Sequence, residues 1–224
     1  MAHTVTVTLP PHQGEGELGL PAIQPSGLVL FAHGSGSSRH SPRNRMVAAE
    51  LRDAGLATLL FDLLTENEAA DRRLVFDIPL LAGRLRDAGA WATRDGRVAA
   101  LPQGYFGAST GAAAALLAAA EPGARVRAVV SRGGRPDRAG TALAQVRAPT
   151  LLIVGGADDV VLDLNRAAQA RMRCECHLAV VPGATHLFEE PGTLEEVVTL
   201  ARAWFLRHLQ GTGAAPCDPG RSHG

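Results

Sequence analysis

The feature that most constrains this chain is a repeated alternation. Short, largely apolar runs end in loops, several of them rich in glycine, and a helical stretch separates each run from the next. Leu28-Val29-Leu30-Phe31-Ala32 is apolar at every position. A strand with one wet face would alternate, so a continuous run predicts a strand covered on both faces. Further strands, each mixing apolar residues with one or two polar ones, are expected at Ala57–Leu63, Gln103–Phe106, Val126–Ser131, Thr150–Val154 and Cys176–Val181. Helices are expected at Pro42–Ala54 (closed by Gly55), over Glu66–Gly89 with an interruption at Pro79, and at Thr110–Ala120, Pro136–Val146, Leu162–Met172 and Thr193–Leu209. Ahead of these, Thr4–Leu9 alternates as a half-buried strand does, and Gly14–Gly19 holds a turn and a short second strand. Strands alternating with helices give an α/β fold: a mostly parallel sheet with helices on both faces. Ligands in such folds bind beyond the carboxyl ends of the strands, so chemistry is expected in the loops after Ala32, Phe106, Ser131, Val154 and Val181.

Size and charge narrow the class. The 224 residues suit one domain over 1–210, followed by a Gly-, Pro- and Ala-rich segment, 211–224, expected to be flexible. Lys and Arg total 22, as do Asp and Glu, so the net charge is zero. That disfavours nucleic acid as a partner, because phosphate binding needs a basic face. No apolar run is long enough to cross a bilayer, and Met1–Pro11 has neither the basic flank nor the apolar stretch of a secretory signal. No membrane contact and a cytoplasmic location are therefore expected. Oligomeric state is open. Cys174, Cys176 and His177 sit close together, but no second ligand pair follows at zinc spacing, so no metal is expected.

Gly107-Ala108-Ser109-Thr110-Gly111 fits G-x-S-x-G, a serine on a sharp strand-to-helix turn. Its context fits too, with a strand before it and a helix of small residues after it. A serine nucleophile needs a base, and the base needs an orienting carboxylate. Val154-Gly155-Gly156-Ala157-Asp158-Asp159 follows one buried strand and offers the acid; Pro182-Gly183-Ala184-Thr185-His186 follows the next and offers the base. Spacing from Gly155 favours Asp158 over Asp159. Two backbone N–H groups should face the developing oxyanion. One is expected from Thr110, the other from Ser35 within His33-Gly34-Ser35-Gly36. That loop has no Gly-Lys-Ser/Thr ending, so it is not read as a nucleotide cradle.

Together these residues resemble the α/β-hydrolase superfamily, specifically its dienelactone-hydrolase-like branch. The resemblance runs from Gly27 to His208 and rests on Phe31–Ser38, Gly107–Gly111, Gly155–Asp158 and Gly183–Phe188. It is similar also to hydrolase domains found fused to phosphoribosyltransferases. The resemblance implies an eight-stranded, mostly parallel sheet, no cofactor, and hydrolysis of small esters or lactones. Dienelactone hydrolases proper carry a cysteine where this chain has Ser109, which points to general carboxylic-ester hydrolysis. About eighteen residues separate Ser131 from Pro149, where relatives insert a cap, so an open, lid-free site is expected. Arg132 or Arg135 is a candidate for binding an anionic substrate group, with His33, Gly34 and Gly36 as further substrate contacts; Arg39 and His40 are weaker candidates. Amide or thioester cleavage, acyl transfer to an alcohol, and a non-catalytic binding protein on the same fold are the alternatives.

Overall fold

A computed structural model describes residues 1–210. Eight strands form one sheet in the order β1-β2-β4-β3-β5-β6-β7-β8. They are β1 (His3–Leu9), β2 (Gly14–Leu20), β3 (Leu28–Ala32), β4 (Ala57–Phe61), β5 (Gln103–Ala108), β6 (Val126–Arg132), β7 (Thr150–Gly155) and β8 (Cys176–Val181). The β1–β2 and β2–β4 pairs are antiparallel and every other pair is parallel. The expectation of a mostly parallel eight-stranded sheet holds. β3, β4 and β7 are buried at every position, as continuous apolar runs require. β1 is buried only at Val7 and Leu9, where it alternates.

Helices cover both faces. α1 (Pro42–Asp53) and α7 (Thr193–Leu209) pack on one, around Phe31, Phe106, Val130 and Ile153. α4 (Ile78–Ala92) and α5 (Thr110–Ala120) pack on the other, around Leu30, Leu59, Tyr105 and Val129. α5 is mostly alanine and is buried nearly all round. Its small side chains let the backbone come close to β3 and β5, which brings the helix start up against the loop after β3. α6 (Asp159–Gln169) follows β7 and buries Val161 and Leu162 against Val154.

Three segments differ from expectation. The stretch from Glu66 to Gly89 breaks before Pro79, into α2 (Glu66–Ala69), α3 (Arg72–Val75) and α4. Asp71 and Asp77 cap the latter two through their side chains. Pro79 sits in the first turn of α4, where its missing N–H costs no helical bond. Pro136–Gln145 is 3-10 rather than α-helical, kinked at Gly140, whose φ is 57°. α6 begins at Asp159, three residues earlier than expected, and ends at Gln169. No cap domain lies between β6 and β7; the 3-10 segment fills that interval. The 211–224 segment lies outside the described residues.

Candidate active site

The site is assembled at the carboxyl ends of β3, β5, β6, β7 and β8. Ser109 ends β5 and caps α5 with φ 51° and ψ −118°, a left-handed backbone that a non-glycine residue adopts only when its surroundings impose it. Two main-chain hydrogen bonds hold it here. Ser109 N–H donates to the Arg132 carbonyl at 3.1 Å, and Arg135 N–H donates to the Ser109 carbonyl at 3.1 Å. The flanking glycines are required by close approach. A Cβ on Gly107 would lie 2.4 Å from the Ala112 Cα, and one on Gly111 would lie 2.1 Å from the Ala32 carbonyl oxygen.

His186, in the loop after β8, lies between the other two groups. Its Nδ1 is 2.7 Å from Asp158 Oδ2 and its Nε2 is 3.3 Å from Ser109 Oγ. A carboxylate only accepts, so Nδ1 carries the proton and Nε2 is left to accept from the serine hydroxyl. The ring is thereby held in the tautomer that can take a proton from Ser109. Asp158 is the residue that meets His186; Asp159 is exposed in the first turn of α6. Gly155, at the end of β7, has no room for a side chain: a Cβ there would lie 2.3 Å from the Ala184 carbonyl. The acid and base loops therefore touch backbone to backbone.

The loop after β3 places Ser35, expected to be an oxyanion donor, against a partner that the sequence did not indicate. Ser35 N–H donates to Thr110 Oγ1 at 2.8 Å. A Cβ on Gly34 would lie 3.1 Å from the Ser109 Cβ, so this loop runs directly alongside the serine. His33 fixes it. Leu63 N–H donates to His33 Nε2 at 3.1 Å, which leaves Nδ1–H to donate to the Gly34 carbonyl at 3.0 Å. Burial pushes the His33 pKa down and keeps the ring neutral. His33 is thus a brace between the loops after β3 and β4.

A cavity of about 720 Å³ opens beside this loop. Gly34, Ser35, Gly36 and Thr110 line one side; Leu63, Leu64, Val75 and Leu81 give it an apolar wall. Arg39 also lines it, but its guanidinium pairs with Asp62 and Glu15. His40 is exposed and lies 3.6 Å from Glu17.

Arg132, the last residue of β6, and Arg135, just beyond it, are placed differently from a pair of substrate ligands. Arg135 is held by Asp137 through two bonds of 2.9 and 2.8 Å, which lower the Asp137 pKa and raise that of Arg135. Arg132 is 8% exposed and turns towards α1, with only a 3.5 Å contact from Nη2 to the Asn44 side-chain oxygen. Its Nε and Nη1 meet no acceptor among the described residues. Burial, and then the neighbouring Arg43 charge, pull its pKa down to about 10. What these residues contribute visibly is backbone: the peptide groups of Arg132 and Arg135 grip Ser109, and buried Asn165 holds the Gly134 carbonyl at 3.0 Å. Sequence reasoning missed this, because a main-chain bond leaves no residue-type signal. Among the described residues no group of three or more His, Cys, Asp or Glu side chains could hold a metal, and no helix is long and apolar enough to cross a membrane.

No protein-family model matches the chain. Solved structures do. A dienelactone hydrolase from Anabaena variabilis is 52% identical, with a TM-score of 0.88, over 93% of this chain and 98% of that one. The fold is shared with Est1E from Butyrivibrio proteoclasticus (16% identity, TM-score 0.75, 91% and 98% covered). It is shared also with a serine hydrolase without a lid from Xanthomonas campestris (21% identity, TM-score 0.76, 94% and 97% covered). Two Mycobacterium tuberculosis proteins, named as proposed phosphoribosyl transferases, are 62% identical over 209 residues. Those residues are 93% of this chain and 47% of theirs, so the chain spans about half the length of these curated relatives. The similarity to the Anabaena protein runs nearly end to end in both chains, and on that ground this chain belongs to the dienelactone-hydrolase-like branch of the α/β-hydrolase superfamily.

Proposed function

We propose that this chain is a serine esterase that cleaves small carboxylic esters or lactones through Ser109, His186 and Asp158. One observation carries the proposal: His186 bridges Asp158 and Ser109 at 2.7 and 3.3 Å, from loops after three different strands. In this reading His186 Nε2 takes the Ser109 proton as Oγ adds to the ester carbonyl carbon. Asp158 holds the ring and stabilises the imidazolium. The C–O bond to the alcohol breaks, and the alcohol leaves with the proton from His186. Water then adds to the acyl-enzyme, His186 again takes the proton, and the acid is released as Ser109 regains its hydrogen. The Thr110 N–H, at the start of α5, faces the oxyanion, beside the loop after β3. The apolar wall at Leu63, Leu64 and Val75 suits an uncharged acyl or alcohol group.

Family membership supports a hydrolase of esterase type. The transferase name belongs to relatives about twice as long as this chain and is theirs alone. The test is hydrolysis of short-chain p-nitrophenyl esters together with labelling by a fluorophosphonate. Turnover should fall by at least about three orders of magnitude in Ser109→Ala, and labelling should vanish. Wild-type turnover in Ser109→Ala would refute the mechanism. Labelling without turnover of any ester would move the activity to amides, thioesters or acyl transfer.

A further inference from the structure

The Thr110 side chain, as distinct from its backbone, occupies a position that esterase chemistry can use. Thr110 Oγ1 accepts the Ser35 N–H at 2.8 Å, so the peptide donor expected to face the oxyanion is already engaged. A threonine hydroxyl can accept and donate at once. Among the described residues its proton has no acceptor: the Ser35 contact is its only side-chain hydrogen bond. The residue is 4% exposed, and it lines the cavity beside Gly34 and Ser35. It also follows Ser109 directly, at the start of α5, where the helix dipole favours negative charge.

We infer that the Thr110 hydroxyl donates a hydrogen bond to the oxyanion and couples it to the Ser35 peptide. The chain would run from Ser35 N–H to Thr110 Oγ1, and from Thr110 Oγ1–H to the charged oxygen. Accepting the first bond polarises the hydroxyl and strengthens the second. Thr110 then supplies two donors, its N–H and its O–H, and Ser35 acts through the second. No proton is transferred along this chain, since the hydroxyl keeps its hydrogen throughout. The inference rests on the esterase reading, because it needs an oxyanion formed on Ser109.

The experiment compares Thr110→Val, which keeps shape and loses the hydroxyl, with Thr110→Ser, which keeps the hydroxyl and loses a methyl. Ester kinetics are measured with inhibition by an aryl trifluoromethyl ketone. This compound adds to Ser109 Oγ and carries a stable oxyanion after His186 takes the proton. Thr110→Val should lose about 10²-fold in kcat with KM changed little, as removal of one oxyanion donor does. Its inhibition constant for the ketone should rise by a similar factor. Thr110→Ser should remain within a few-fold of wild type on both measures. Thermal melting of both variants separates misfolding from a catalytic loss, and rescue by serine would not accompany mere unfolding. If Thr110→Val keeps or exceeds wild-type kcat, the freed Ser35 N–H is itself the donor and the inference falls. Equal losses in the two variants would trace the effect to packing and also overturn it. If Ser109→Ala turns over at the wild-type rate, the underlying reading has failed instead, and that result is distinct from both.

Discussion

The same substitution at two glycines should move stability in opposite directions. Gly111 lies in the first turn of α5 and Gly83 lies inside α4. In isolation, alanine is favoured over glycine in a helix interior by up to about 1 kcal/mol. At Gly83 nothing lies within 4 Å of the added Cβ, so this gain stands alone. At Gly111 the Cβ would lie 2.1 Å from the Ala32 carbonyl oxygen and 2.5 Å from that of His33. Carbon–oxygen contacts settle near 3.3 Å, so backbone must retreat by about 1 Å. No side-chain rotation can relieve a clash between a Cβ and two main-chain carbonyls. Taking the upper end of overpacking costs, about 3 kcal/mol, less about 1 for propensity, leaves a net loss of about 2 kcal/mol. For a domain of this size each kcal/mol shifts the midpoint by about 2–4 °C. Gly111→Ala should therefore melt about 4–8 °C below wild type, and Gly83→Ala about 1–4 °C above it, by calorimetry at fixed pH. The displaced carbonyls begin the loop that reaches Gly34 and Ser35, so Gly111→Ala should lose kcat as well. A Gly111→Ala variant melting at or above wild type would refute the close-approach argument.

Asp158→Asn should lower kcat by about 10⁴-fold, since an amide stabilises the wrong tautomer of His186, whereas Asp159→Asn should leave ester hydrolysis unchanged. Arg132→Met should preserve the denaturant midpoint or raise stability by about 1 kcal/mol, because it replaces a buried cation that meets no acidic partner among the described residues. A large loss would mean that the guanidinium is well satisfied. Acid should weaken the fold through His33. Its folded pKa lies below the 6.5 of the free ring, so below pH 6.5 the unfolded chain binds a proton that the folded chain refuses. Stability from this group is complete above pH 6.5 and falls with pH by up to about 1.4 kcal/mol per unit until the folded ring titrates. His12 and His208, also lowered chiefly by burial, act in the same direction. The contribution of His33 is thus the difference in slope between wild type and His33→Asn in pH-dependent denaturation, and equal slopes would remove it.

The central strands were legible because burial on both faces leaves a continuous apolar run, as in Leu28–Ala32 and Thr150–Val154. The order of Ser109, Asp158 and His186 was legible because each sits where a strand stops. The breaks before α3 and α4 were less legible, although Asp77-Ile78-Pro79 carries a start signal: a capping carboxylate followed by proline in the first turn. The kink at Gly140 was not legible, since a glycine does not announce the sign of its φ. The fate of Arg132 depends on how α1 lies over β6, and the Thr110–Ser35 bond joins positions 75 apart. Both follow from packing between distant stretches, which residue type and spacing do not encode.

The placement of the cavity has a consequence for how such a protein can diversify. Its apolar wall comes from the stretch after β4, at Leu63, Leu64 and Val75, while Ser109, Asp158 and His186 come from the ends of β5, β7 and β8. Under the proposed esterase function, the apolar wall and the proton-transferring side chains thus come from separate stretches of sequence. Exchanging residues 63–76 for those of a relative should transplant a preference for acyl or alcohol groups, leaving the proton-transfer geometry where it is.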